Sequence, residues 1–388
     1  MKNTISRFSF PTTIYFGVGA VYELPQYLKD VGIKKPLLVT DPGMVKTDVF
    51  PKIEGILKDS GTEFGLFAEV HPNPLDSDIQ KAVDVYKAEG CDGLIGLGGG
   101  SALDATKMVQ VIAAHGGKVN DYDITTGGNQ NIVGPLPAMI AIPTTSGTGS
   151  EVGSCSVITS VALGRKFLVC SPLLIPSIAL LDPELTVGMP AALTAGTGMD
   201  AFTHCIEALS VKDFHPMCDA IALKGIEFVA KYLEVAVREP DNIEARGHMQ
   251  LAAMMGAVSF QKDLGAAHSL SHSLSAVSHV PHGLANAICL VPVMKFNKDS
   301  CLEEYAKVAA CFGVNTFGIS LEEAAEKAIE AVMDLKKAIG IPEKLSDVGV
   351  KEEDLEELAD KAFLDGCHQS NPRSCTRDNL MELYREAL

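Results

Sequence analysis

The sequence predicts a two-part chain, an α/β half built on a parallel sheet followed by an all-helical half. Three observations carry this. Over the first half, short apolar runs ending in turn residues alternate with segments of helical apolar spacing. From about Met189 those runs give way to long amphipathic segments. The 388 residues exceed what one core usually organises, and 47% hydrophobic with 21% charged residues is the balance of a folded chain. The boundary falls near 187, giving an α/β domain at 1–187 and a helical domain at 188–388.

In order along the chain, LLVTD at 37–41 reads as a strand, followed by Pro42-Gly43 and a helix whose apolar positions are Val45, Val49, Ile53, Ile56 and Leu57. FGLFAEV at 64–70, the loop HPNPLDSD and the helical IQKAVDVYKAEG repeat the unit. DGLIGLG at 92–98 is the next strand, leading into a helix from Ser101 to about Ala114, and PAMIAIPTT at 137–145 is a further buried strand. Strands alternating with helices imply a parallel sheet covered on both faces. The second half then carries AALTAGTGMDAFTHCIEALS, ARGHMQLAAMMGAVSFQ, EEYAKVAACFG, LEEAAEKAIEAVMDLKKAIG and DNLMELYREAL, the later ones with acidic first turns and glycine stops.

Lysine and arginine total 32 against 49 acids, a net charge of −17, so a nucleic-acid backbone or an anionic bilayer is repelled. No stretch approaches the ~18–20 apolar residues of a membrane span, and the first residues lack a leader pattern, so a cytoplasmic protein is expected. The ten cysteines, at 91, 155, 170, 205, 218, 289, 301, 311, 367 and 375, form no CxxC pair and read as reduced thiols.

Two loops read as a phosphate cradle. GLGGGSALD at 96–104 follows a strand and opens a helix, so its glycines admit close backbone approach and the helix start offers free N–H groups. It departs from G-x-G-x-x-G at Ser101, and the acid suited to a ribose, Asp41, lies upstream rather than downstream. IPTTSGTGSEV at 142–152 adds hydroxyl donors after a buried strand. Each loop also fits a plain turn.

The histidines point to a metal. HSLSHSLSAVSHVPHG holds His268, His272, His279 and His282, and an upstream helix offers Asp200 and His204. Spacing of i, i+4 puts Asp200 with His204, and His268 with His272, on one helical face each. Imidazoles and a carboxylate from two helices suit a divalent first-row ion such as Zn²⁺ or Fe²⁺.

GGGSALDATK, AIPTTSGTGSEV, LLDPELT, GMDAFTHCIEAL, AHSLSHSLSAVSHVPHGLANA and the C-terminal NPR, in this order, resemble the iron-containing (group III) alcohol dehydrogenase family from about residue 8 to 388. The resemblance implies a Rossmann-like nucleotide-binding domain, a helical domain and a cleft holding nicotinamide and metal, the architecture shared with dehydroquinate synthase. It places the metal, Fe²⁺ or Zn²⁺, on Asp200, His204, His268 and His282, and makes His272 a proton-relay candidate. It assigns NAD to Asp41, Asn73, Gly99, Gly100, Ser101, Thr144, Thr145, Thr148 and Lys166. His279 has no counterpart and is expected to face solvent.

The implied reaction is hydride transfer between NAD and a short-chain primary alcohol or diol and its aldehyde, in a homodimer or larger homo-oligomer. Cys155, at a cleft-side position, and SHSLSAVSH, in place of an aromatic-rich stretch, depart from the pattern where substrate is chosen; Cys367 lines the pocket or packs as a small hydrophobe. Small anionic aldehydes, such as sulfoacetaldehyde or succinic semialdehyde, are the alternative substrates. A dehydroquinate synthase-like lyase needs clustered cations, and 262–283 offers only Lys262. The zinc-dependent glycerol dehydrogenase branch is a nearer rival, and a metal-stabilised binding module without catalysis a remoter one, since structural sites favour thiolates.

Overall fold

The computed structural model describes residues 8–10, 12–161 and 165–388; residues 1–7 of the segment read for a leader lie outside these. The chain divides into two compact units, Pro11–Thr145 with Gly149–Gly188, and Met189–Leu388 with Ser146–Thr148.

The first unit is built on eight strands among the described residues, β1 (Thr13–Phe16), β2 (Pro36–Val39), β3 (Gly65–Phe67), β4 (Gly93–Gly98), β5 (Met139–Pro143), β6 (Cys155–Ser160), β7 (Arg165–Cys170) and β8 (Ile178–Leu181). Six form a parallel sheet in the order β1-β8-β5-β4-β2-β3. Its helices are α1 (Leu24–Asp30), α2 (Val49–Asp59), α3 (Asp76–Ala88) and α4 (Gly100–His115). The four inner strands are buried at every position, which is why they read as unbroken apolar runs. The period of two still sorts their side chains. Leu37, Val39, Leu94, Met139 and Ala141 pack with Ile79 and Val83 of α3 and Met108 and Val109 of α4. Leu38, Ile95, Leu97, Ile140 and Ile142 pack on the opposite face with Leu24, Leu28, Ile53 and Leu57. Each such side chain contributes about 2 kcal/mol of transfer free energy.

Sequence reading did not isolate β1, whose residues are half exposed at the sheet edge, the buried β8, or the separate antiparallel pair β6–β7. That pair corrects the reduced-thiol expectation. Its register sets Cys155 opposite Cys170, with Cα atoms 4.1 Å apart, and the two form a disulfide. Neighbouring positions across an antiparallel ladder are sequence-distant, so cysteine spacing alone did not show the pairing. The other eight cysteines are free.

The second unit is helical: α5 (Ala191–Ser210), α6 (Pro216–Arg238), α7 (Ile243–Ser259), α8 (Ala266–Val277), α9 (His282–Asn297), α10 (Leu302–Cys311), α11 (Leu321–Ala338), α12 (Leu355–Leu364) and α13 (Arg377–Ala387). Helix α5 is buried along nearly its whole length. It belongs to a core shared with α6, α7, α10 and α11, while α8, α12 and α13 form another, and α9 contributes to both. Gly283 permits the close approach of α9 to α5, because a Cβ there would meet Gly196 O at 2.3 Å. Among the described residues, no helix is long and apolar enough to cross a membrane.

Candidate functional site

Asp200 and His204 lie one turn apart on α5, His268 stands in the first turn of α8, and His282 is the first residue of α9. The three helices bring all four side chains together. Asp200 Oδ1 lies 3.3 Å from His282 Nε2, 3.8 Å from His268 Nε2 and 4.0 Å from His204 Nε2. Asp200, His204 and His268 are almost fully buried, whereas the His282 side chain is 32% exposed. The imidazoles of His204 and His268 stack with centroids 4.7 Å apart.

The electrostatics follow from burial. Burial pushes His204 down to about 3 and His268 well below its ordinary value, so both rings are neutral and keep a lone pair. Burial alone would raise Asp200, but its imidazole neighbours, His204 first and then His282 and His268, hold it below the usual carboxylate range. A carboxylate and three imidazole nitrogens therefore face one point as acceptors. One donor answers them: Asn286 Nδ2 donates to Asp200 Oδ1 at 2.7 Å and lies 3.2 Å from both His268 Nε2 and His282 Nε2. Asn286 Oδ1 is buried without a hydrogen-bond partner among the described residues. A divalent cation would satisfy all four acceptors, so the donor set fits a metal.

Glu207 and Asp365 complete the cluster, and sequence reading missed both. Glu207 is one turn beyond His204, so the helical spacing that linked Asp200 to His204 could have found it. Its Oε2 accepts from His268 Nδ1 at 2.5 Å and its Oε1 from Ala267 N at 2.7 Å. That leaves His268 Nε2 as the nitrogen facing Asp200. Burial pushes Glu207 up to about 7. Asp365 follows α12, 93 residues from His272, with no periodicity to connect them. His272 Nδ1 donates to Asp365 Oδ2 at 2.9 Å, and Asp365 Oδ1 accepts from Ser269 Oγ at 2.8 Å and Cys367 N at 2.9 Å. Burial would raise Asp365, but the bonds from His272, Cys367 and Ser269 hold it well below the usual range. The His272 ring stacks on that of His282 at 5.2 Å. His279 is exposed, with φ 56°.

In the first unit, the carboxyl ends of β2, β4 and β5 are neighbours. Asp41 follows β2 and accepts from Gly43 N and Met44 N at 2.8 and 2.9 Å. Gly98 closes β4 at φ +142°, where a Cβ would sit 2.9 Å from Ala102 Cβ and 3.4 Å from Asp41 Oδ2. Gly99 precedes α4 and has no capping side chain, so the N–H groups of Gly100 and Ser101 open the helix. Thr144 N donates to Gly98 O at 3.0 Å, and a Cβ on Gly99 would lie 3.2 Å from Thr145. Asp41, Gly99, Gly100, Ser101, Thr144 and Thr145 thus share one end of the sheet. Thr148 is exposed and belongs to the stretch 146–148 grouped with the helical unit. Asn73 and Lys166 lie at the hairpin side: Thr159 N bonds Pro74 O at 2.8 Å, and Thr159 is opposite Lys166.

Beneath this end is a buried polar cluster. Ser150 Oγ donates to Asp104 Oδ1 at 2.6 Å, Val157 N to Asp104 Oδ2 at 2.9 Å, and Lys107 Nζ to Ser150 Oγ and Cys155 O at 2.8 Å each. It ties α4 to the hydroxyl loop and β6.

Residues 11–183 match the family described as iron-containing alcohol dehydrogenase, and residues 194–388 its C-terminal domain, the Fe-containing alcohol dehydrogenase family. The chain belongs to the iron-containing alcohol dehydrogenase family. It is 39% identical over 385 residues to an NAD-dependent methanol dehydrogenase from Bacillus methanolicus, covering 99% of this chain and all of that one. It is 38% identical to a 1,3-propanediol dehydrogenase from Klebsiella pneumoniae, covering 97% of both. The crystal structure of a 1,3-propanediol oxidoreductase superposes with a TM-score of 0.95 at 37% identity, covering 99% of this chain and all of that one. The family expected from the motifs is thereby established, and with it an alcohol dehydrogenase on a parallel-sheet unit followed by a helical one.

Proposed function

We propose that the protein interconverts a short-chain primary alcohol or diol and its aldehyde with NAD(H), using Fe²⁺ or Zn²⁺ held by Asp200, His204, His268 and His282. The observation that carries this is the convergence of three imidazole Nε2 atoms within 4.0 Å of Asp200 Oδ1. A divalent ion there supplies Lewis acidity that lowers the pKa of an alcohol, and a bound nicotinamide supplies the hydride acceptor.

The chain's residues bind, orient and move protons. Glu207 fixes the tautomer of His268. Asp365 fixes that of His272, whose Nδ1 is engaged and whose Nε2 is the atom left to accept the alcohol proton. For the cofactor, Gly99, Gly100 and Ser101 offer backbone donors to the pyrophosphate, and Thr144, Thr145 and Thr148 offer hydroxyls. Asp41 takes the ribose hydroxyls and disfavours an extra phosphate, and Asn73 and Lys166 border the dinucleotide.

A neutral substrate is favoured over an anionic aldehyde because four arginines that would have to meet an anion, Arg165, Arg246, Arg373 and Arg377, are engaged elsewhere. Arg165 bonds Asp123, Arg246 bonds Thr194 and Pro240, Arg373 bonds Phe296 O, and Arg377 bonds Asp360 and Glu356. Lys262, the cation a lyase would use, bonds Asp219 at 2.6 Å. Assembly as a homodimer or larger oligomer rests on family resemblance.

The test is NADH oxidation by protein loaded anaerobically with Fe²⁺ or Zn²⁺, against short neutral and anionic aldehydes. The reading expects activity on neutral aldehydes that is lost on chelation and in His268→Ala. Silence with both metals across the panel, despite NADH binding, would refute it.

A further inference from the structure

His272, Asp365 and Cys367 form a second convergent group beside the Asp200 cluster. The nitrogen, oxygen and sulfur atoms they offer all lie within 4.8 Å of one another. Asp365 and Cys367 come from one turn after α12, closed by the Cys367 N–H bond to Asp365 Oδ1, and His272 comes from the middle of α8. Ser269 Oγ anchors the same carboxylate oxygen, which leaves Oδ2 to face His272. The His272 and Asp365 side chains are 34% and 20% exposed, against 1% for His268 and 4% for Asp200, and Cys367 beside them is partly buried.

We infer that His272, Asp365 and Cys367 make a second, inhibitory site for a thiophilic divalent cation such as Zn²⁺ or Co²⁺. One imidazole, one carboxylate and one thiolate, with a fourth position open, is a ligand set such ions accept. The sulfur distinguishes it from the Asp200 cluster, which is all nitrogen and oxygen. On binding, the thiol proton leaves to solvent, the imidazole proton moves from Nδ1 to Nε2, and Nδ1 turns its lone pair to the cation; no oxidation state changes. The hydrogen bond from His272 to Asp365 is lost, and Nε2 can no longer accept a proton. Inhibition therefore rests on the relay role given to His272 above; binding does not.

The test is a Co²⁺ titration of the metal-stripped full chain, followed by absorption and metal analysis. Two bound equivalents are expected, one bringing a thiolate-to-cobalt charge-transfer band in the near ultraviolet. Cys367→Ala should lose the band and one equivalent while keeping the other, which also reports a folded chain. Asp200→Asn should lose the other equivalent and keep the band, separating this site from the first. With Zn²⁺ at the second equivalent, wild-type turnover should fall roughly a hundredfold, the size of a lost acid–base group, and Cys367→Ala should be spared. A single equivalent without the band, or a band that survives Cys367→Ala, overturns the site. The band with undiminished turnover overturns inhibition and the relay role together.

Discussion

Replacing Glu207 by Gln tests the proposed metal centre through a residue outside its proposed ligands. The carboxylate accepts on both oxygens, from His268 Nδ1 at 2.5 Å and from Ala267 N at 2.7 Å, and is 4% exposed. Glutamine has one acceptor oxygen and an NH₂ group, so one of these donors must face another donor. If Ala267 loses its acceptor, a buried N–H is left unpaired at a cost of about 1–3 kcal/mol. If His268 loses it, the ring does better with its proton on Nε2, and that proton points at Asp200 where the lone pair is needed. Outer-shell partners of this kind typically set 10- to 100-fold in metal affinity, or about 1.4–2.8 kcal/mol. The assay is competition of the purified protein against a chelator of known affinity for Zn²⁺, with Gln and Ala variants beside wild type. Affinity weakened by roughly ten- to a hundredfold is expected. Unchanged affinity in both folded variants would refute the assignment of His268 as a ligand tuned by Glu207.

Asp365→Asn should present an NH₂ group to His272 Nδ1 and favour the wrong tautomer, lowering kcat by roughly tenfold or more at unchanged metal content; equal kcat would remove Asp365 from the mechanism. Burial pushes Glu151 from 4.5 up to about 7, so the folded chain keeps a proton that the unfolded chain releases. Stability should therefore fall as pH rises from about 4.5 to about 7 and level off above. Denaturant midpoints of Glu151→Gln should lack this component of the slope; the same slope in both proteins would contradict it. Gly283→Ala places a methyl 2.3 Å from Gly196 O, so α9 must shift from α5, and both melting temperature and metal occupancy should drop; a variant with neither change would show that α9 tolerates the displacement.

The sequence and the structure agree most where burial is one-sided or complete. The inner strands β2, β4 and β5 were legible because each is a short apolar run between turn residues, and α5 because its residues 191–210 hold helical spacing, whereas inner strand β8 was not read as a strand. Edge strand β1 was not, because half-exposed positions carry no clear pattern, and β6–β7 was not, because an antiparallel pair is defined by its partner. Asp200 and His204 were legible from their i, i+4 spacing on one helix, while His268 and His282 joined them as a ligand set only through the family motifs. Asn286 sits one turn beyond His282 and was available to the same spacing argument. Asp365 was beyond reach, because nothing local marks the residue that closes a contact across 93 positions.

The central claim, that Asp200, His204, His268 and His282 bind one catalytic metal, is tested most directly by anomalous scattering from crystals given a single equivalent of Fe²⁺ without oxygen. The account predicts one dominant iron peak in coordination range of Asp200 Oδ1 and the three Nε2 atoms, with Asn286 Nδ2 turned away from them. An iron peak elsewhere, or none at this cluster while the protein still oxidises NADH with an aldehyde, would contradict it.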